Sequence, residues 1–137
     1  MPFYDPKQMK KKPAGPKYSQ TTGAWITGER MLFGEMVSPA GTGSLLHSHP
    51  NEQFIFVKQG TLKGNIEGKK KTVRVGDIVH IPANAVHNMV ATEEEDVVFI
   101  VAKDTSWDIH GISVDDTPVR KGGGKKAPGG RKPQKKR

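Results

Sequence analysis

Three of the five histidines lie where extended backbone could bring their rings together: His47 and His49 two residues apart, and His87 directly after a Pro-Ala-Asn-Ala loop. On a strand, residues i and i+2 share a face about 7 Å apart. Two imidazoles leaning inward from such positions can meet on one divalent ion at about 2.1 Å each. Pro50-Asn51 suits the centre of a tight turn, and the chain returning through Gln53 sets that carboxamide opposite the histidine pair. Gln53 is therefore the candidate fourth ligand. The chain has no cysteine, which excludes disulfide frameworks, thiolate zinc sites, iron–sulfur clusters and cysteine nucleophiles. Any metal must be held by His, carboxylate or amide.

The elements that would position these side chains are short. Between residues 19 and 119, β-branched or aromatic runs are broken by Gly, Pro, Asn and Asp, and no window sustains an apolar period of 3.6. Strands are predicted over 30–37, 44–49, 53–58, 61–66, 71–75, 77–81, 86–91 and 97–102. Turns are predicted at Ser38-Pro39, Pro50-Asn51, Gly60, Glu67-Gly68, Gly76-Asp77 and Pro82-Ala83-Asn84. This spacing points to an antiparallel sandwich or barrel. Ile55 and Val57 share the parity of Gln53 and should line an apolar pocket, while Met31, Phe33 and Phe99 are expected in the core. Alternation turns Glu52 toward solvent. His80 is expected to be a half-buried structural residue, and the acidic run 93–96 a solvated turn.

The net charge of +8 over 137 residues is unevenly placed. Residues 1–18 carry +4, residues 19–119 carry −5, and residues 120–137 carry +9. A mildly acidic globule therefore lies between a basic, Pro-rich N-terminal arm and a tail of nine Lys/Arg, five Gly and two Pro. Such a tail cannot bury enough apolar surface to offset its ordering entropy and is expected to be disordered. Phe3, Tyr4 and Tyr18 could pin parts of the first arm, which is expected to be loosely attached. The tail could tether the protein to a nucleic acid or another anionic partner, but without interleaved aromatics that binding would be non-specific and salt-sensitive. With 34% hydrophobic residues no stretch could span a bilayer, and the N-terminus lacks the apolar segment of a signal peptide, so a cytoplasmic protein is expected.

The combined spacing resembles the cupin family. Its first motif is matched by Gly41, His47, His49, Gln53 and Gly60, with Gln53 where the family usually has Glu. Its second motif is matched by Gly76, Pro82 and His87, with Asn84 replacing the usual Gly and Ala91 the usual Asn. The fifteen residues between Gly60 and Gly76 are typical of a compact member. The resemblance implies an all-β double-stranded β-helix, or jelly roll, with one divalent transition metal (Fe, Mn, Zn or Ni) held by His47, His49, Gln53 and His87, and a homodimer. The stretch HSHPNEQ also looks like the pattern of cupins that open the ring of unsaturated uronates. Those relatives use an Asp and an Arg on a late strand, whereas the run FIVAKDTSWDIHG offers Asp104 and Asp108 and no Arg.

Three neutral imidazoles and a neutral amide would leave a divalent ion its full charge. Such a Lewis acid favours a small oxygen-rich substrate, a keto, carboxylate or sugar-like compound, in isomerase or lyase chemistry. His110, Asp108 and Glu52, in that order, are the candidates for moving the proton. The alternatives are an Fe(II)-dependent dioxygenase and a non-catalytic binding module held on an acidic partner by the basic tail.

Overall fold

The structure is a computed structural model that describes residues 2–114; the basic tail at 120–137 lies outside the described residues. A short 3-10 turn, Pro6–Gln8, precedes eleven strands: β1 (Lys12–Pro13), β2 (Thr22–Thr27), β3 (Met31–Ser38), β4 (His47–Ser48), β5 (Gln53–Gln59), β6 (Leu62–Ile66), β7 (Lys69–Val73), β8 (Ile78–Ile81), β9 (His87–Ala91), β10 (Val97–Asp104) and β11 (Ile112–Ser113). They form a six-stranded sheet, β1-β2-β3-β10-β5-β8, and a five-stranded sheet, β11-β4-β9-β6-β7. All pairings are antiparallel. This is the expected all-β jelly roll.

Alternation decides what each strand contributes. In β10, Val97, Phe99, Val101 and Lys103 are buried and the residues between them are more exposed. In β5, Gln53, Ile55 and Val57 face inward. Their apolar members join Met36, Leu62, Val73, Ile81 and Ala91 in one core between the sheets. The turns follow backbone chemistry. Glu67 and Gly68 both take positive φ, 52° and 85°, in the two-residue hairpin between β6 and β7, which suits the right-handed twist of the flanking strands. Asn84 has φ 66°, a conformation Asn tolerates better than most residues, so its substitution for the motif's Gly is accommodated by the backbone.

Several expectations need correcting. Met31 and Phe33 are not core residues: each is 57% exposed, because β3 buries Leu32, Gly34, Met36 and Ser38 and turns the opposite parity outward. The strand expected over 44–49 shrinks to His47–Ser48: Gly43 makes only an isolated bridge to Val90, and Leu45 N–H bonds to Tyr18 O, which lies outside the strands. The strand expected at 71–75 begins two residues earlier, directly after the hairpin turn. β2 escaped notice because Gly23 and Ala24 are poor strand formers in isolation. Here Gly23 faces Met36, and a Cβ on it would lie 2.5 Å from the Glu35 carbonyl. The second half of the N-terminal arm is not loosely attached: Lys12 and Pro13 pair with β2, Ala14 packs on the core and Tyr18 is buried, whereas Phe3 and Tyr4 are exposed.

Leu62→Ala, which empties a fully buried position, is expected to lower the unfolding free energy by about 2–5 kcal/mol in urea titrations. Met31→Ala on the outer face should change it by only about 0.5 kcal/mol. Equal losses would contradict the parity assigned to β3.

Candidate metal centre

The short β4 carries His47, whose register partner on the neighbouring strand is His87, the first residue of β9. His49 follows β4 at the turn, and Gln53 opens β5 in the other sheet. The cluster thus sits where the two sheets meet. The ring centroids are 4.2 Å apart for His47 and His87, 4.9 Å for His49 and His87, and 6.1 Å for His47 and His49. One ring nitrogen from each lies within 4.8 Å of the other two, and all three residues are buried.

Each imidazole is oriented by the backbone. Nδ1 of His47 donates to Leu45 O at 2.7 Å, Nδ1 of His49 to Asn51 O at 2.8 Å, and Nδ1 of His87 to Ala85 O at 2.8 Å. A carbonyl only accepts, so the proton is on Nδ1 and the lone pair on Nε2 in all three rings. Metal-ligating histidines commonly have this arrangement. Gln53 Oε1 lies 2.9 Å from His49 Nε2, which puts two acceptors face to face. A cation touching both reconciles them, as does turning the amide to present its NH2. The donor set, three neutral nitrogens and a carboxamide oxygen, fits a divalent transition metal.

Burial also keeps the rings unprotonated. It pushes His87 down to about 4, with the charges of His49 and Lys103 acting in the same direction. His47 is driven well below the usual range, chiefly by burial and then by His87. His49 is lowered by burial and then by Lys103.

A cavity of about 70 Å³ opens on this cluster, lined by His47, Gln53 and His87 together with Tyr18, Lys103, Ile109 and apolar side chains including Met36, Ile55 and Phe99. Val57, expected beside Ile55, packs in the core instead and is not part of the lining. The sequence reading missed three residues here. Tyr18 stacks on the His47 ring at 4.1 Å, and its hydroxyl accepts the Gly111 N–H. Burial raises the Tyr18 hydroxyl to about 12, so it keeps its proton and can donate it in a hydrogen bond. Lys103 is 4% exposed, and its ammonium donates to Ile109 O at 2.6 Å. Its signal was available, because Lys103 has the parity of Val97, Phe99 and Val101. Asn51 is more than a turn residue: besides accepting from His49, it donates to the carbonyls of Asp104 and Asp108, tying the segment after β10 to the cluster.

The other singled-out residues lie outside this cavity. Glu52 is exposed and pairs with His80 at 2.6 Å on the outside of the barrel, where His80 also stacks on Phe54. Asp108 and His110 are exposed, with Asp108 Oδ2 3.8 Å from His110 Nδ1. Asp104 points outward and accepts the N–H groups of Glu52 and Ser106. The Ser106 hydroxyl foremost, which also donates to it, and then those N–H groups hold its carboxyl below the usual range.

For His87 the folded value of about 4 lies below the 6.5 of a free imidazole, so as pH falls the unfolded chain takes up the proton first. Its contribution to stability is present above about pH 6.5 and is lost progressively toward pH 4, about 3 kcal/mol for this ring, and His47 and His49 act in the same direction. Urea unfolding of metal-free protein should show stability rising from pH 4 to 6.5, and His87→Gln should flatten that rise. An unchanged slope would mean that the ring is not buried as described.

Comparison with known proteins is consistent with this geometry. The chain is similar in fold to the polyketide cyclase RemF from Streptomyces resistomycificus, at 20% identity over 84% of this chain and 86% of that one, with a TM-score of 0.72. It is also similar to an RmlC-like cupin from Shewanella frigidimarina, at 17% identity over 76% and 90% of the two chains, with a TM-score of 0.66. The structure of KdgF from Halomonas sp. matches at 19% identity over 74% and 91%, with a TM-score of 0.62. At these identities the likeness shows the fold alone. No curated protein matches the chain. The family model for the cupin domain, Cupin_2, matches residues 34–103, from the middle of β3 to the penultimate residue of β10, a stretch that includes all four inward-facing polar residues of the cluster; the chain belongs to the cupin family.

Proposed function

We propose that this cupin is a mononuclear metal-dependent enzyme that acts on a small oxygen-rich metabolite by isomerase- or lyase-type chemistry. The observation that carries this reading is the set of three buried imidazoles, each with Nδ1 tied to a backbone carbonyl and Nε2 left for a shared ligand. His47, His49, His87 and Gln53 are the proposed ligands of an Fe, Mn, Zn or Ni ion. Bound there, that ion would supply a Lewis acid of undiminished charge to a carbonyl or enediol oxygen.

The rest of the site serves binding. A cavity of about 70 Å³ is small, about the share of two waters, so a small ligand is favoured. Ile55, Phe99 and Val101 give it apolar walls that strengthen every polar contact inside. Tyr18 can donate its hydroxyl proton toward a ligand oxygen from the side of His47. His110 is the first choice for moving a proton, because its neighbour Ile109 lines the cavity and the Asp108 carboxylate stands beside it. Asp108 is second, and Glu52 last because it lies on the outside of the barrel against His80.

Elemental analysis of untagged protein is expected to find about one equivalent of a transition metal, lost in His49→Ala. A metal content unaffected by that substitution would remove the basis of the reading. Turnover should persist without oxygen, and an absolute oxygen requirement would replace this chemistry with that of a dioxygenase.

The reading includes a homodimer. On the outer face of the six-stranded sheet, Phe33, Ala102, Phe54 and His80 lie in register across four strands, with Ile100, Phe56 and Ile78 in the next row. Phe33, Phe54, Phe56 and Ile78 are exposed, and such patches mark association surfaces. Sedimentation should give twice the monomer mass for the wild type and the monomer for Phe56→Glu. A wild-type monomer at micromolar concentration would refute the pairing.

A further inference from the structure

Lys103 occupies an unusual position for a cation. It lies on the inward parity of β10 as the register partner of Gln53, is 4% exposed, and lines the same cavity as His47 and His87. Only one of its three N–H donors has a hydrogen-bond partner among the described residues, the Ile109 carbonyl. Among those residues no carboxylate lies within ion-pairing distance of it. The acid that influences it, Asp108, is exposed and is turned toward His110. Burying a cation without a counter-ion is costly. Tethering the Ile109 carbonyl does not account for that cost, since a neutral donor would serve.

Among the described residues, the remaining polar lining carries no negative charge: two neutral histidines, the Gln53 amide, a tyrosine that keeps its proton, and serine and threonine hydroxyls. A metal on the histidines would make the cavity more positive still. What the described lining lacks is an anion.

We propose that Lys103 sets the charge of the ligand: its ammonium anchors the carboxylate of a small oxo or hydroxy acid, and neutral ketones and sugars of the same size are discriminated against. This deepens the proposed function and rests on it for the second point of attachment, the ligand's oxo or hydroxy oxygen at the metal. The anchor itself needs only Lys103 and the cavity. With about 70 Å³ available the acid is expected to be small, and pyruvate is the probe.

Calorimetric titration of metal-loaded and metal-stripped protein with pyruvate and with its neutral methyl ester tests the idea. The wild type should bind pyruvate at least about tenfold more tightly than the ester, as expected for a charge-assisted hydrogen bond in a buried site. Lys103→Met should abolish that preference while keeping the metal content and the affinity for the ester, and Lys103→Arg should restore part of it. A preference that survives Lys103→Met with the metal intact would overturn the proposal, leaving Lys103 as a tether for the segment after β10. If Lys103→Met fails to fold, the metal-stripped wild type decides alone: equal affinity for acid and ester refutes the anchor, and the tenfold preference supports it. If the wild type holds no metal, the proposed chemistry fails, but the preference measured on the metal-free protein still upholds or overturns the role of Lys103.

Discussion

Three hydrogen bonds from imidazole Nδ1 to backbone carbonyls govern this molecule's chemistry. They run to carbonyls two residues away in each case, those of Leu45, Asn51 and Ala85, so each histidine is oriented by its own stretch of chain. The bonds fix the tautomer, and the tautomer leaves three lone pairs facing a common space. Burial then keeps the rings neutral near neutral pH. A protonated Nε2 could not ligate a cation, and two protonated rings side by side would repel, so packing and ligand chemistry favour the same state.

The jelly roll serves that arrangement by bringing two sheets together at one end. His47 and His87 face each other across a single register pair in one sheet, Gln53 reaches across from the other, and Lys103 stands opposite Gln53 in the same sheet. Asn51 links this end of the barrel to the segment after β10, and Tyr18 covers it from the N-terminal side. The described part of the N-terminal arm is thus partly a wall of the site. The neutral imidazoles and carboxamide, the buried ammonium and the absence, among the described residues, of a facing carboxylate all favour negative charge arriving with a bound molecule.

Much of this was legible in the residues because local geometry carries it. His-x-His with a turn and a returning Gln works through the two-residue period of a strand and the reach of a tight turn, both properties of a few consecutive residues. The turns at Gly60, Glu67-Gly68 and Pro82-Ala83-Asn84 were readable for the same reason, since φ preferences are local. β2 was not readable, because Thr22–Thr27 has weak intrinsic preference and becomes a strand only through eight-residue β3 alongside it. Nor was the outward turn of Met31 and Phe33, because apolar type alone does not say which parity of a strand a sheet will bury.

By itself, then, the sequence determined the all-β class, the positions of the turns, the charge division along the chain and the identity of the three converging histidines, all of which follow from spacing and composition. Only the tertiary structure decided that Tyr18, Asn51 and Lys103 belong to the site and that Glu52 faces away against His80. Those facts depend on contacts between residues far apart in the chain, such as Tyr18 with Gly111 and Asn51 with Asp104. No local preference encodes such contacts; they exist because closing the two sheets leaves a cavity beside the histidines, and the side chains at its edge are whichever ones the strand registers deliver there.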